Sequence, residues 1–348
     1  MRADTGSEWT EAGVFPVAPG VHRVPLPLPM DGLRAVNVYV IEDDDGPVMI
    51  DGGWALEQSR TLLSTALGEL GYRPGDIRRF LVTHLHRDHY TQAVSLRREV
   101  GARVSLGIGE KPAIDLLLTD DPLRRFEPQI VALRASGADA LIERLQRAEL
   151  MEGPEEIWEA PDDWLEQGAQ IPLRERTLLA IPTPGHTQGH VVFADPEAGL
   201  LFAGDHVLPH ITPSIGFEPL TAELPLRDYL GSLRVVLDLP DMRLLPAHGP
   251  VTESVHGRAK ELLDHHDDRL GNCLAAVASG ATTAHDVASL LGWTRRQRRL
   301  DSLDDFNQML AVVETHAHLE LLAATGRVTA VTSSGPTIYS VGTGDPGA

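Results

Sequence analysis

A single cysteine, Cys273, stands in 348 residues. No intrachain disulfide and no multi-thiolate zinc site can form, and a reducing compartment, the cytoplasm, is the expected location. No apolar run approaches the roughly 18 residues that cross a bilayer, so no membrane partner is expected. The opening MRADTGSEWTEAGVFP has no basic patch leading into an apolar stretch, so no export signal is expected. Basic residues are also scarce, 30 against 50 acidic ones, for a formal charge of −20. A polyanion such as RNA meets net repulsion on such a surface unless a local basic face overcomes it, which disfavours nucleic acid as a partner. A G-x-S-x-G elbow is missing as well, and Cys273 lies outside every motif, so no serine or cysteine nucleophile is called for.

What is present is a globular composition, 42% apolar and 23% charged. The length suits two or three domain-sized units, or one large domain with additions. Short apolar runs alternate with helical patterns through the first half. AVNVYVI (35–41) and PVMID (47–51) read as adjacent strands joined by an acidic turn, and residues 56–70 follow with leucines at helical spacing before Gly71. FLVT (80–83), RVSL (103–106), LLAI (178–181), VVFA (191–194), LLFA (200–203) and RLLPA (243–247) are further strands, which gives α/β layering. Residues 107–170 form a long, mostly helical insertion. Its expected helix start is Asp120-Asp121-Pro122, with an apolar stripe of Leu141, Leu145, Ala148 and Met151. A tract this long between strands is expected to be a lid over a site, the alternative being a helical decoration packed elsewhere.

From Val255 the rhythm changes to helices over 258–277, 284–291 and 304–323, the last with Ser302 and Asp305 at capping-box spacing. VTAV and TIYSV then flank a Ser-Ser-Gly-Pro turn, a hairpin signal. Three helices and a hairpin follow the order of a small winged-helix unit. This segment carries eight Lys/Arg and ten Asp/Glu between Val255 and Ala330, so packing or dimerisation suits it better than reading nucleic acid. A homodimer is the one protein partner this leaves open.

The chemistry concentrates at strand exits. His84, His86, Asp88 and His89 follow FLVT directly, and an H-x-H-x-D-H string has a chance expectation on the order of 0.002 in a chain of this composition. His186 follows LLAIPTPG, Asp205 follows LLFAG and His248 follows RLLPA. Each lies just past the carboxyl end of an apolar strand, where α/β sheets place their sites. Five histidines and two aspartates on four strand ends point to two metal ions rather than one. Imidazole and carboxylate sets suit zinc first, with iron and manganese open.

THLHRDH, PTPGHTQGH, FAGDHV and PAHG, in this order and spacing and with Asp51 of VMIDGG ahead of them, resemble the motifs of the metallo-β-lactamase-fold hydrolases. The resemblance covers roughly residues 20–255. It implies an αβ/βα metallo-β-lactamase sandwich with a helical insertion and a C-terminal winged-helix-like domain, divided as 1–255 and 256–348. The final segment is similar to the extension in a subgroup that includes a mitochondrial β-lactamase-like protein that cuts RNA. By the same resemblance His84, His86 and His186 hold a first metal, Asp88, His89 and His248 a second, and Asp205 bridges them. Asp51 accepts a ligand N–H, and His190 is expected to be structural or to support a ligand from behind rather than to bind metal.

The chain departs from the pattern at Tyr90-Thr91-Gln92, where relatives carry small residues, and at His206 and His210 behind the bridging aspartate. Asp88, His206 and His210 are the candidate catalytic groups, with loop hydrogen bonding as the alternative for the two histidines. The expected activity is a two-metal hydrolase in which a metal-bound hydroxide attacks a small ester-type substrate, foremost a thioester (acyl-CoA or acyl-glutathione type) or a lactone. A metal-dependent endoribonuclease is the alternative. A non-enzymatic DNA-binding regulator and a true β-lactamase rank below both.

Overall fold

The computed structural model describes residues 9–29, 32–119, 122–148 and 157–342. Two sheets face each other. The first holds seven strands in chain order: β1 (Phe15–Ala18), β2 (Val21–Pro27), β3 (Ala35–Ile41), β4 (Val48–Ile50), β5 (Arg79–Leu81), β6 (Arg103–Gly107) and β7 (Asp163–Leu165). Pairing is antiparallel as far as β4 and parallel from there to β7. The second sheet runs β12-β11-β10-β9-β8, from β8 (Gln170–Pro172), β9 (Thr177–Pro182), β10 (Val191–Asp195) and β11 (Leu200–Gly204) to β12 (Arg243–Pro246). Only the β11–β12 pair is parallel.

β1 and β2 carry no signal in the sequence reading, and the prolines explain why. Pro25 and Pro27 look like strand breakers. Yet β1 pairs with β2 only as far as Arg23, so both prolines sit where β2 has a neighbour on one side alone.

The sheets close on a shared layer of Tyr39, Ile41, Ile50 and Leu81 against Leu178, Val191, Phe193 and Phe202. Outside the first sheet lie α1 (Glu57–Glu69), α2 (Arg87–Val100) and α3 (Lys111–Leu117), burying Leu63, Leu67, Val94 and Ile114 against Val38, Met49 and Val104. Outside the second sheet lies α6 (Pro225–Asp238), with Leu226, Tyr229 and Leu233 on Val192, Leu201 and Ala203. Helix, sheet, sheet, helix is the αβ/βα sandwich. Strands β10 and β11 are therefore covered on both faces, which is why VVFA and LLFA read as unbroken apolar runs.

The insertion contributes α3, α4 (Pro122–Ala135) and α5 (Asp139–Arg147), then ends in β7 rather than in helix. Leu141 and Leu145 are buried as expected, whereas Ala148 is exposed and takes no part in the stripe. Met151, Asp120 and Asp121 lie outside the described residues. Helices α4 and α5 rest on the C-terminal segment. Arg144 bonds Asp305 and Gln308, the amide of Thr337 donates to Ala135 O, and that of His285 donates to Ser136 O.

That segment comprises α7 (Val255–Ala278), α8 (Ala284–Leu290), α9 (Asp305–Ala324) and the hairpin β13 (Val328–Val331) with β14 (Ile338–Val341). The cap of α9 differs from the expected pair. Asp304 accepts the Asn307 amide at 3.0 Å, while Ser302 closes a separate turn by donating to Arg299 O. An aspartate directly before the first helical residue reaches the free amides of the first turn better than a serine two residues earlier. Leu262, Val312 and Leu319 share one continuous core with α6 and with Leu141. Among the described residues no helix is long and apolar enough to cross a membrane.

Candidate metal centre

Each polar residue picked out at a strand exit reaches the same edge of the sandwich. The β5 exit carries His84, then His86 as the residue preceding α2, and Asp88 and His89 fall in that helix's first turn. His186, Asp205 and His248 follow β9, β11 and β12. Two glycines let the backbones come close enough. A Cβ on Gly204, whose φ is +51°, would lie 2.7 Å from Thr83, and one on Gly185 would lie 2.4 Å from Tyr229.

The donors form two groups. His84, His86, His186 and Asp205 have donor atoms all within 4.8 Å of one another, and so do Asp88, His89 and His248. Asp205 belongs to both by geometry. Its Oδ2 lies 3.5 Å from His186 Nε2, while its Oδ1 lies 3.4 Å from His248 Nε2 and 3.6 Å from His89 Nε2.

Hydrogen bonds outside the groups decide which ring nitrogens point inward. His248 Nδ1 donates to Ala35 O at 2.7 Å and His186 Nδ1 to Ser214 O at 2.8 Å. His89 Nδ1 donates to Asp51 Oδ2 at 2.9 Å. Thr83 spends its hydroxyl proton on Asp51, so His84 Nδ1 donates to Thr83 Oγ1 at 3.1 Å. In neutral rings each of these bonds leaves a bare Nε2, and those of His84, His89 and His248 are buried without a hydrogen bond among the described residues. His86 is turned the other way. Its Nε2 donates to Phe217 O, which leaves Nδ1 3.0 Å from His186 Nε2. Two lone pairs at that distance repel unless a cation stands between them.

The electrostatics ask for the same thing. Burial disfavours a charged His89, but Asp88, Asp51 and Asp205 outweigh it and raise the group to about 9. Burial opposes a charged His248 too, and Asp205 and Asp88 push it well above the ordinary value. Burial and neighbouring imidazoles hold His84 and His86 low instead, His86 at about 3. Carboxylates aimed at bare imidazole nitrogens define a place for positive charge, which a divalent metal ion supplies. These His and Asp residues are positioned to bind metal.

The family model for the metallo-beta-lactamase superfamily matches residues 31–248. The chain belongs to that superfamily. Members are metal-dependent hydrolases, in keeping with the donor set. A metallo-beta-lactamase family protein from Thermus thermophilus is 28% identical with a TM-score of 0.71, over 94% of this chain and 100% of that one. A beta-lactamase domain protein from Burkholderia ambifaria is 26% identical with a TM-score of 0.75, over 94% of each. Both likenesses extend past the family match into the C-terminal helices. Among curated sequences, a beta-lactamase-like protein 2 homolog of Caenorhabditis elegans is 33% identical over 30% of this chain. The uncharacterized protein YobT of Bacillus subtilis is 32% identical over 50%. The aligned stretches span 33% and 62% of those two relatives' own lengths.

Within this superfamily frame, the departures at 90–92 have a structural account. Tyr90 turns away from the donors, stacks on Trp158 and donates its hydroxyl to Glu159 O at 2.7 Å. Thr91 Oγ1 accepts the Ala55 amide, and Gln92 donates to Gly52 O, pinning the loop after Asp51. His190 stands behind the donors, bonded to Thr183 Oγ1 and accepting the Asp205 amide. The His206 ring is enclosed between Tyr229 and His190, and burial lowers it to about 3. His210 is exposed beside Gly249, at the rim near His248.

Two residues carried no sequence signal. Glu110 is buried under both histidine loops, accepting Thr187 Oγ1 and the Leu85 amide. Glu218 accepts the Gln188 and Ala222 amides. Burial raises Glu110 to about 7, and burial together with Glu110 raises Glu218 to about 8. No spacing rule marks either one, because their partners are a hydroxyl and backbone amides, all but that of Ala222 remote in sequence.

Proposed function

We propose that the chain is a two-metal hydrolase of small ester-type substrates, foremost thioesters of the acyl-CoA or acyl-glutathione type, or lactones. The observation that carries the two-metal part is Asp205, whose two oxygens face different groups of bare imidazole nitrogens. His84, His86 and His186 would hold one ion and Asp88, His89 and His248 the other, with zinc favoured by the imidazole-rich set. Bound there, such ions supply Lewis acidity toward a carbonyl oxygen and lower the pKa of water.

The protein's own groups do the rest. Asp51 fixes the His89 ring, and the Ser214 and Phe217 carbonyls fix those of His186 and His86. Asp88, at 14% the more exposed of the centre's two carboxylates, would take the proton of an attacking water. Water adds to the carbonyl carbon, the bond to sulfur or alkoxide oxygen breaks, and the leaving group departs with a proton. His210, exposed at the rim, would meet a substrate, whereas the enclosed His206 would act through its packing.

The small-substrate reading is supported by the charge of −20, which opposes polyanions. It is also supported by the ties within the arginine run Arg295, Arg296, Arg298 and Arg299, in which Arg299 pairs with Asp301 and Arg298 bonds Ser302. Turnover of a thioester and lactone panel by the metal-loaded chain tests it. Activity on at least one member, lost in the His84→Ala/His86→Ala variant, is expected. Cleavage of labelled single-stranded RNA at low salt, with no activity on the panel, would replace this reading with the endoribonuclease.

A further inference from the structure

Away from the sheet edge, α7 and α9 bring a second set of metal-capable groups together. His265 and His266 of α7 and Glu314 of α9 have donor atoms all within 4.8 Å of one another. Two donors on a tetrahedral ion with bonds near 2.1 Å sit about 3.4 Å apart, so rotation of the exposed His265 and half-buried Glu314 side chains closes the set.

Hydrogen bonding decides which His266 nitrogen is offered. Glu314 O can only accept, so His318 Nδ1 carries the proton that bonds it at 2.7 Å. His318 Nε2 is then a lone pair and accepts from His266 Nδ1 at 3.1 Å. The relay leaves His266 Nε2 without a proton, and that nitrogen is buried with no partner among the described residues. Neutral rings are what this requires, and burial holds both imidazoles low, His318 at about 3. A ligand histidine is held by the hydrogen bond its other ring nitrogen donates, and here His318, itself held by a carbonyl, accepts that bond. No hydrogen bond or ion pair holds the Glu314 carboxylate among the described residues.

We propose that His265, His266 and Glu314 form a further site for a single divalent transition ion such as zinc, with His318 orienting His266. The ion would tie α7 to α9. It would also brace the wall behind the sheet-edge centre, because Tyr229 packs on the His266 ring and donates to His206 O, next to Asp205. Two cations face the cluster from α7. Arg269 is held over Trp293 and donates to Gly292 O, and Arg258 donates to Leu208 O. An incoming ion must outcompete that field, which places this site below the sheet-edge centre in affinity.

Equilibrium dialysis of the chelator-stripped full chain against zinc, with bound metal counted by mass spectrometry, is the test. Wild type is expected to bind one equivalent more than His265→Asn/Glu314→Gln, and the same one-equivalent difference is expected in the His84→Ala/His86→Ala background. That background keeps this result separate from the fate of the hydrolase reading. Because Glu314 is half-buried, His265→Asn alone serves as the second variant. It is expected to keep the wild-type circular dichroism and to bind the last equivalent at least tenfold more weakly. Equal zinc counts in wild type and the double variant, or unchanged affinity in His265→Asn, overturn the site.

Discussion

The sheet-edge centre and the α7–α9 cluster gather the same kinds of side chain by opposite means. At the edge, donors leave strands through short loops, and His84, His86, Asp88 and His89 arrive within six consecutive residues. Between the helices, His265 and His266 lie almost fifty residues from Glu314 in sequence, and the three meet only because two apolar faces pack. The edge rings are oriented by Asp51 and by carbonyls of other segments, whereas His266 is oriented by a relay within the helix pair. Loop-borne donors can thus be written as a motif, while helix-borne donors need a finished tertiary contact.

The sharpest way to break this contrast is to remove the edge rings. His84→Ala/His86→Ala is expected to lower hydrolysis on the order of a thousandfold or more, and chelation of wild type should do the same, reversibly on adding zinc. Steady-state kinetics on the best panel substrate measures both. Asp51→Asn comes next. It removes the charge that fixes His89, so about 10- to 100-fold should be lost in metal affinity or rate, read by dialysis and kinetics together.

Glu110 tests how the two histidine loops are braced. Its folded-state value is raised to about 7 from an ordinary 4.5, so the folded chain holds this proton after the unfolded chain has lost it. Its contribution to stability is full below about pH 4.5 and is lost as pH rises through about 7, a span of a few kcal/mol. Glu110→Gln should flatten that part of a denaturation-versus-pH curve, and a slope identical to wild type would contradict the assignment. Tyr90→Phe has the smallest expected effect. Loss of the bond to Glu159 O should cost about 1 kcal/mol in denaturant melts while the rate stays within about twofold.

Legibility followed the range of the interactions. Strands such as β3, β10 and β11 were readable because strands covered on both faces read as mostly apolar runs. β2 was hidden by Pro25 and Pro27, which only a one-sided position in the sheet excuses. β7 was hidden because three residues, Asp163–Leu165, with only Leu165 buried, leave little pattern. The centre's donors were readable from their clustering, and Glu110, Glu218 and the His318 relay were not, since their partners lie in distant segments. Tyr90 was read as an oddity beside the site and belongs to the packing around Trp158.

The order of residues along this chain was enough to name the donors and the layered class of fold, because alternation, capping and strand exits are settled over a few neighbouring positions. Which nitrogen of each ring faces inward, how Asp205 divides its oxygens, and where the insertion comes to rest were settled only by the folded molecule. Those choices depend on carbonyls and carboxylates of other segments, from Ser214 behind His186 and Asp51 behind His89 to Ala35 behind His248, and no local rule carries that information.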